Sequence, residues 1–244
     1  MYMGKVSIII PAYNEEAFIG TLIKKILNID FESLGFVKEI IVVDDGSKDK
    51  TYEIASSYED IRCIKQFKNQ GKGAAVQRGV RESTGDWILV QDADLEYDPN
   101  DYILLLKALE NGEEMSIYGS RIMGQIKEHG WFHRFPGKHK NQSFGPWFAG
   151  VILSIWTFLL YGRWISDTLT AYKLYPARGI KNFSIKTCGF ETDHEITAKL
   201  IRNHMQIKEI PIRYYPRSVE DGKKIKPKDG LIAIWTLLKY RFKD

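Results

Sequence analysis

The sequence predicts an α/β fold built on a mostly parallel sheet with helices on both faces. Short β-branched runs alternate with helical stretches through the first 120 residues, which is the pattern of βαβ units. Acidic residues directly follow predicted strands, at the position where open α/β sheets bind their ligands. With 244 residues, 44% of them hydrophobic, the chain is long enough to bury one large core.

Five strands are predicted in the first half of the chain. The β-branched run VSIII is stopped by Pro11, which indicates the first strand at 6–10. The other four are expected at 39–43, 61–67, 87–91 and 115–119. Helices are expected between the strands at 14–28, 50–58, 74–82 and 99–110. Asn14 is expected to cap the first of these helices, and Asp98-Pro99 to begin the last.

The second half of the chain differs in character. Residues 124–144 are polar and show no clear period, which predicts a mobile loop. The apolar segment 145–161 has 17 residues, whereas a bilayer span needs about 20, so a buried or interfacial helix is favoured over a span. Strands are expected at 170–175 and 207–214, and helices at 191–203 and 231–242. No repeat or linker interrupts the chain, which predicts a single domain over 1–244.

Charge is unevenly distributed. The net charge is only +4, but the segment 213–228 carries six basic residues against two acidic ones. Local basicity of this kind suits an anionic ligand or a lipid headgroup better than a long nucleic acid. We therefore expect no nucleic acid partner.

Three carboxylates alternate directly after the predicted strand at 87–91, namely Asp92, Asp94 and Glu96. Hard oxygen ligands at a strand end suit Mg²⁺ or Mn²⁺, and protein-bound Mg²⁺ commonly shares one or two carboxylates with substrate phosphates. The alternative is a solvated acidic loop. The position beside other acidic strand ends favours binding of a metal and a diphosphate.

Two further motifs admit more than one interpretation. Asp44-Asp45-Gly46-Ser47 follows the second predicted strand and is either a turn or an acceptor for the N–H groups of a nucleobase or for ribose hydroxyls. Gly71-Lys72-Gly73 is either a phosphate cradle or a plain turn before the next helix, since neither a P-loop nor a dinucleotide fingerprint is present.

The motifs VSIIIPAYNEE, IIVVDDGSKDKT, NQGKGAA and ILVQDADLEYDP, in this order, resemble those of the inverting family 2 glycosyltransferases, which have the Rossmann-like GT-A fold. Within that family the chain is most similar to the dolichyl- or polyprenyl-phosphate mannose and glucose synthase branch. The resemblance continues at 119–121, 167–173, 189–195, 209–217 and 222–225. It implies a nucleotide-sugar-binding half over 1–123 and an acceptor-binding half over 124–244.

The resemblance also implies roles for individual residues. Those implied to bind the nucleotide are Pro11, Tyr13, Glu15, Asp44, Gly71, Lys72 and Asp92. Those implied to hold the metal are Asp92, Asp94 and Glu96. Those implied to lie at the reacting sugar, with a catalytic role, are Asp94, Asp167, Glu191 and Asp193. Those implied to bind the acceptor phosphate or the diphosphate are Arg121, Arg217 and Lys223. Lys224 is added for its charge, because Arg217, Lys223 and Lys224 together could neutralise phosphates; the alternative is a solvated basic loop.

The implied activity is inverting transfer of a sugar from a UDP- or GDP-linked donor, with Mg²⁺ or Mn²⁺, to a polyprenyl or dolichyl phosphate. The Gln-x-x-Arg-Trp motif of processive relatives is incomplete, because Leu160 replaces its glutamine, so non-processive transfer is expected. The absence of a signal-peptide pattern favours the cytoplasmic face of a membrane. Alternatives are a soluble glycosyltransferase that uses a saccharide or another small acceptor, and a non-catalytic membrane-associated binding module. A sugar nucleotidyltransferase is a further alternative, but the glycine-rich loop that usually follows its first strand is absent here.

Overall fold

A seven-stranded sheet forms the centre of the computed structural model, which describes residues 4–109, 114–130, 144–216 and 227–243. The predicted phosphate-binding residues Arg217, Lys223 and Lys224 lie outside the described residues. The strands are β1 (Gly4–Ala12), β2 (Phe36–Asp44), β3 (Arg62–Lys65), β4 (Trp87–Val90), β5 (Met115–Ser120), β6 (Lys173–Pro176) and β7 (Gln206–Pro211). Their order across the sheet is β3-β2-β1-β4-β6-β5-β7.

The predicted mostly parallel sheet is confirmed. Strand β1 pairs in parallel with β2 and β4, as do β2 with β3 and β5 with β7. Only β6 runs antiparallel to its neighbours β4 and β5. The carboxyl ends of β1, β2, β4 and β5 therefore meet at one edge of the sheet, here called the carboxyl edge. The first residue of β6, Lys173, lies at this edge because it pairs with Val90 and Tyr118.

Helices cover both faces of the sheet, and one large apolar cluster lies on each face. In chain order the α-helices are α1 (Ile19–Leu27), α2 (Thr51–Ser56), α3 (Lys72–Glu82), α4 (Tyr102–Lys107), α5 (Arg121–His129), α6 (Phe144–Tyr161), α7 (Ala177–Lys181), α8 (Thr192–Arg202) and α9 (Pro227–Phe242). The predicted start at Asp98-Pro99 is confirmed, since the Asp98 carboxylate accepts a hydrogen bond from the Asn100 N–H and a short 3₁₀ turn leads into α4.

Three local predictions are wrong. Strand β1 continues through Pro11 to Ala12, because a proline at the end of the strand gives up only one ladder donor. Asn14 does not cap a helix, since its φ is +51° and its side-chain oxygen accepts a hydrogen bond from the Lys48 N–H; α1 begins at Ile19. The loop predicted at 124–144 is helical over 124–129, where α5 is capped by the Ser120 hydroxyl. The rest of that prediction, 131–143, lies outside the described residues.

The helix predicted at 145–161 is confirmed as α6. It packs against α8 and α9 through a small apolar cluster that includes Leu153, Ala198 and Leu237. Within the described ranges, no helix combines the length and the apolar character needed to cross a membrane.

Candidate active site

The carboxyl edge brings together the acidic strand ends that the sequence singles out. Asp44, the last residue of β2, is fully buried, and its carboxylate accepts the Ser47 N–H at 3.3 Å. The Asp45 carboxylate oxygens accept hydrogen bonds from the backbone N–H groups of Gln70 and Gly71, both at 2.8 Å. This structural role was not predicted from the sequence. Burial raises the pKa of Asp45 despite these bonds. Asp45 thus fixes the loop that leads into α3.

The glycines of Gly71-Lys72-Gly73 let two segments of backbone approach each other. A Cβ at Gly71, whose φ is +99°, would lie 2.5 Å from the Cys188 carbonyl oxygen. A Cβ at Gly73 would lie 1.9 Å from the Thr192 hydroxyl. The loop before α8 therefore sits directly on the start of α3, and packing alone explains both glycines. Phosphate binding by this loop stays a prediction.

This close approach creates a row of alternating charges. The Lys72 Nζ lies 2.6 Å from an Asp92 carboxylate oxygen and 3.8 Å from one of Asp193, whose other oxygen lies 3.9 Å from the Lys173 Nζ. Burial alone would lower the pKa of Lys72, but the two carboxylates outweigh it and raise that pKa. Burial would likewise raise the pKa of Asp193, yet the two lysines hold it below its usual value. Both groups are therefore ionised at neutral pH.

Lys173 is the second residue that sequence reasoning missed at this edge. Its side chain is fully buried, and its ammonium donates to the Thr168 carbonyl oxygen at 3.2 Å. Burial lowers its pKa, although the carboxylate of Asp193 opposes the shift. The sequence signal that could have indicated Lys173 is its position among the apolar residues of a short strand, because a buried charge of this kind needs a partner.

Asp94 and Glu96 occupy different environments, although they are two residues apart. Asp94 is partly exposed, and one of its oxygens accepts the Glu96 N–H at 3.1 Å. The carboxylate of Glu96 is buried and accepts a hydrogen bond from the Tyr214 hydroxyl at 2.6 Å. Leu95 between them has a φ of +60°, a left-handed conformation that is strained for leucine.

The donor set fits a divalent cation that arrives with a diphosphate. Over the described part of the chain, no group of three histidine, cysteine or acidic side chains is placed to hold a metal ion. Asp92 forms an ion pair with Lys72, and the Glu96 carboxylate accepts a hydrogen bond from the Tyr214 hydroxyl. Asp92 and Asp94 still offer hard carboxylate oxygens, and Mg²⁺ needs only one or two of these when phosphates complete its coordination. Metal binding by Asp92, Asp94 and Glu96 stays a prediction.

A buried polar network lies directly behind Asp92. The side-chain oxygen of Gln91 accepts hydrogen bonds from the hydroxyls of Tyr102 and Tyr172, at 2.5 and 2.7 Å, and its amide donates to the Asp92 carbonyl oxygen at 2.7 Å. The ring of Tyr97 stacks on Tyr172 with 4.7 Å between centroids. This network holds the backbone of the acidic loop. Gln91 at the end of an apolar strand was its one sequence signal.

Asp167 is locked in an ion pair with Arg121. The Arg121 Nε and Nη2 donate to the two carboxylate oxygens at 2.7 and 2.8 Å, and the Arg121 backbone N–H adds a bond of 3.0 Å. Burial would raise the pKa of Asp167, but Arg121 outweighs it and holds the pKa below its usual value. Glu209 fixes the same segment by accepting the Asp167 N–H at 3.1 Å. The arrangement favours a positioning role for Asp167 over that of a general base.

The remaining predicted residues also lie near this edge. Pro11 and Asp44 are close because Ala12 pairs with Asp44 in the sheet. Tyr13 is half-buried and Glu15 is buried, and the Glu15 N–H donates to the Thr51 hydroxyl at 2.8 Å. The carboxylate of Glu191 accepts the Gly189 N–H at 3.2 Å, just before α8. The nucleotide-binding and catalytic roles of these residues stay predictions.

Comparison with known proteins gives a consistent result. The family model described as "Glycosyl transferase family 2" matches residues 7–161. A dolichol-phosphate mannosyltransferase of Pyrococcus furiosus is 32% identical, and the alignment covers 90% of this chain and 59% of that protein. A UDP-N-acetylglucosamine–dolichyl-phosphate N-acetylglucosaminyltransferase of Methanococcus voltae is 28% identical, with 84% of each chain covered. A dolichyl-phosphate beta-glucosyltransferase of Trichomonas vaginalis is 29% identical, and 86% of this chain and 65% of that protein are covered.

Solved structures agree on the fold. Glucosyl-3-phosphoglycerate synthase of M. tuberculosis superposes with a TM-score of 0.71 at 20% identity, and the match covers 99% of this chain and 82% of that one. The complex of that enzyme with Mn²⁺, UDP and glucosyl-3-phosphoglycerate gives a TM-score of 0.67 at 19% identity, with 99% and 81% covered. At this identity the similarity concerns the fold alone. The chain spans 59% and 65% of the length of two of the curated relatives.

Proposed function

The chain belongs to glycosyl transferase family 2, and we propose that it transfers a sugar, with inversion, from a nucleoside diphosphate donor to a polyprenyl phosphate. The observation that carries the proposal is the convergence of Asp44, Asp92 and Asp94 at the carboxyl edge, beside the ionised Lys72. Such an edge is where open α/β sheets bind nucleotides.

The donor is assigned to the β1 and β2 side of the edge. Asp44, with Tyr13 and Glu15 nearby, is proposed to contact the nucleoside of a UDP- or GDP-linked sugar. Asp92 and Asp94 are proposed to hold Mg²⁺ or Mn²⁺. A divalent cation bound there supplies positive charge that stabilises the diphosphate as the glycosidic bond breaks.

The charged groups near the site suit an acceptor that is already anionic. Both oxygens of Asp167 are engaged by Arg121, and two lysines hold the pKa of Asp193 low. Of the three candidate bases, Asp167 and Asp193 are therefore not tuned to take a proton from an alcohol near neutral pH, since a general base works best with a pKa near the operating pH. A phosphate oxygen needs no such base. It would attack the anomeric carbon on the face opposite the diphosphate, which leaves with the bonding electron pair.

An exposed apolar surface supports a lipid acceptor. Helices α6 and α9 pack together and present large side chains to solvent, for example Leu159 at 68% and Trp235 at 62% exposure. The members of this surface, called the α6–α9 face, are Phe148, Ile152, Ile155, Phe158, Leu159, Leu231, Ile232 and Trp235. On α6 they recur at helical spacing, and the helix carries no charged residue. Contiguous apolar surface of this kind marks an interaction site.

We propose that the α6–α9 face rests on the membrane that holds the polyprenyl chain. Helices that lie in the interface plane bury their apolar side among the lipids. A Cβ added at Gly150 of α6 would lie 3.7 Å from the Leu169 side chain, so helix α6 packs against the segment that follows Asp167. Arg121 and, outside the described residues, Arg217, Lys223 and Lys224 are proposed to bind the acceptor phosphate. The relatives named for dolichyl phosphate support this acceptor class.

A transfer assay tests the proposal. The protein is incubated with UDP- and GDP-linked sugars, a divalent cation and polyprenyl phosphate in vesicles, and a soluble saccharide is offered in parallel. We expect a glycosylated polyprenyl phosphate as the product. Glycosylation of the saccharide with no lipid product would contradict the acceptor assignment and leave the donor assignment standing.

A matched pair of variants tests the surface. Trp235→Ser should reduce turnover of polyprenyl phosphate in vesicles and leave nucleotide affinity unchanged, since Trp235 lies on the α6–α9 face. Leu104→Ser is the control, because it removes an apolar side chain of α4 that is 40% exposed and lies away from this face. It should leave both the turnover of polyprenyl phosphate and the nucleotide affinity unchanged. Equal behaviour of the two variants would argue against membrane contact through this face.

A further inference from the structure

Tyr214 contacts two charged groups that belong to different parts of the proposed reaction. Its hydroxyl donates to a Glu96 carboxylate oxygen at 2.6 Å, and the guanidinium of Arg121 lies over its ring, 4.8 Å from carbon to ring centroid. Glu96 is predicted to hold the metal, and Arg121 is proposed to bind the acceptor phosphate. One half-buried side chain therefore joins the metal side of the site to its acceptor side.

The path of the backbone after β7 explains how this tyrosine reaches both groups. The chain leaves β7 across the start of α5, where Gly124 allows a close approach, because an added Cβ would lie 1.9 Å from the Ile212 carbonyl oxygen. It then meets the acidic loop after β4, where the Tyr215 N–H donates to the Glu96 carbonyl oxygen at 2.8 Å. Tyr214 lies between these two points in the chain, which places it between α5 and the acidic loop.

Arg213 fixes the same stretch of backbone without help from the Tyr214 side chain. Its N–H donates to one Asp101 carboxylate oxygen at 2.6 Å, and its Nη2 donates to the other at 2.8 Å. The Asp101 side chain is only 2% exposed, and the Arg213 Nη1 also lies 3.1 Å from an Asp98 carboxylate oxygen. Substitutions of Tyr214 should therefore leave the backbone in place and report on the side chain that they change.

The hydroxyl of Tyr214 orients a buried carboxylate. Glu96 is 8% exposed, and a buried carboxylate needs hydrogen-bond donors to offset the cost of leaving water. Carboxylates that bind metals are held by such donors, and loss of the donor weakens metal binding by about 10–100-fold. The bond from Tyr214 to Glu96 is of the kind that fixes the direction of a metal ligand.

The ring of Tyr214 restrains Arg121 from a second direction. Asp167 accepts hydrogen bonds from the Arg121 Nε and Nη2 at 2.7 and 2.8 Å. The Tyr214 ring adds the attraction between a cation and the negative face of an aromatic ring. The Tyr97 ring packs beside it at 5.1 Å between centroids. The guanidinium is therefore held between a carboxylate and an aromatic ring.

We propose that Tyr214 is a positioning residue for the transfer, whose hydroxyl orients Glu96 for metal binding and whose ring orients Arg121 for the acceptor phosphate. This inference rests on the proposed function, from which it takes the metal and the acceptor. The two contacts use different parts of one side chain, so they can be removed separately. Tyr214→Phe removes the hydroxyl and keeps the ring, and Tyr214→Leu removes both. Tyr52→Phe and Tyr52→Leu are matched controls, because the Lys65 Nζ lies over the half-buried Tyr52 ring at the same 4.8 Å.

The gain in nucleotide affinity that Mn²⁺ confers tests the role of the hydroxyl. UDP and GDP are titrated into the whole chain by calorimetry, in Mn²⁺ and in chelator, and the gain is the ratio of the two affinities. Both Tyr214 variants should reduce this gain by about tenfold relative to the Tyr52 variants. A reduced gain in Glu96→Gln with an unchanged gain in Tyr214→Phe would overturn the inference and leave the metal assignment standing. An unchanged gain in both would overturn the assignment of Glu96 and the inference with it.

The KM for polyprenyl phosphate in vesicles, at saturating donor and Mn²⁺, tests the role of the ring. Tyr214→Phe should keep the KM of the wild type, whereas Tyr214→Leu should raise it by about threefold to tenfold, as expected for loss of a cation–π contact. An equal rise in both Tyr214 variants would indicate a merely structural role, and equal KM values for Tyr214→Leu and Tyr52→Leu would exclude the contact. Either result overturns the inference. Absence of polyprenyl phosphate turnover in the wild type would contradict the proposed acceptor and the role of the ring, and the Mn²⁺ measurement would still decide the role of the hydroxyl.

Discussion

Replacing Asp167 with asparagine removes the charge that neutralises Arg121 and keeps the shape of the side chain. The two groups are joined by two side-chain bonds of 2.7 and 2.8 Å, and only 4% of the Asp167 side chain is exposed. If Asp167 acts by positioning Arg121, the change should appear first in stability.

The size of the effect follows from the geometry. Removing one partner of a buried ion pair destabilises a protein by about 3–5 kcal/mol, because the other charge is left uncompensated. Arg121 retains 21% side-chain exposure, so solvent relieves part of this penalty. We therefore expect a loss of about 3 kcal/mol in the free energy of unfolding. For a domain of this size that corresponds to a fall of about 6–12 °C in Tm.

Urea unfolding at neutral pH, followed by circular dichroism, measures this loss. Asp60→Asn is the control, because Asp60 is exposed, and it should stay within about 0.5 kcal/mol of the wild type. Stability of Asp167→Asn equal to that of Asp60→Asn would refute the assignment. A double variant that also carries Arg121→Gln should recover part of the loss, since it removes the unpaired charge.

The same pair predicts a pH dependence. The folded-state pKa of Asp167 lies below its unfolded value of about 3.9. Its contribution to stability is therefore fully present above that unfolded value and is lost as the pH falls through the lower folded-state pKa. The stability difference between wild type and Asp167→Asn should thus stay constant from pH 7 to about pH 5 and shrink only in more acidic solution.

Three further predictions concern the carboxyl edge. Gly73→Ala should lower the free energy of unfolding by about 1–3 kcal/mol, measured by urea unfolding, because the added Cβ overlaps the start of α8. Gly230→Ala on α9 is the control and should not lower it, because a Cβ there meets nothing within 4 Å. Asp44→Ala should weaken nucleoside diphosphate affinity by a similar factor for all sugars that share one base, and unchanged affinity by calorimetry would reject the contact. Lys72→Met should raise the pKa of Asp193, so any acid limb of kcat/KM that this carboxylate controls should move to higher pH.

Much of the sheet and its acidic edge could be predicted from the sequence. Strands such as β1, β2 and β4 are short β-branched or apolar runs, and acidic residues lie at their carboxyl ends or within three residues of them. The parallel order of strands then brings those residues to one edge. Local patterns and topology were sufficient here, because each signal lies within a few residues of the feature it predicts.

The pairing of charges could not be predicted in the same way. Lys72 meets Asp193 only because Gly71 and Gly73 let the loop before α8 approach α3. Arg121 and Asp167 are 46 positions apart and meet through tertiary packing. Asn14 fails as a helix cap because it bonds to Lys48 instead. Each case depends on contacts between distant segments that no local pattern encodes.

The most direct test of the account is the dependence of sugar transfer on a divalent cation and on Asp94. Transfer from the preferred nucleotide sugar is measured for the wild type with Mn²⁺, the wild type in chelator, Asp94→Asn and the exposed control Asp60→Asn. We predict that chelator and Asp94→Asn each reduce turnover by orders of magnitude, while Asp60→Asn matches the wild type. Full turnover in chelator or in Asp94→Asn would contradict it.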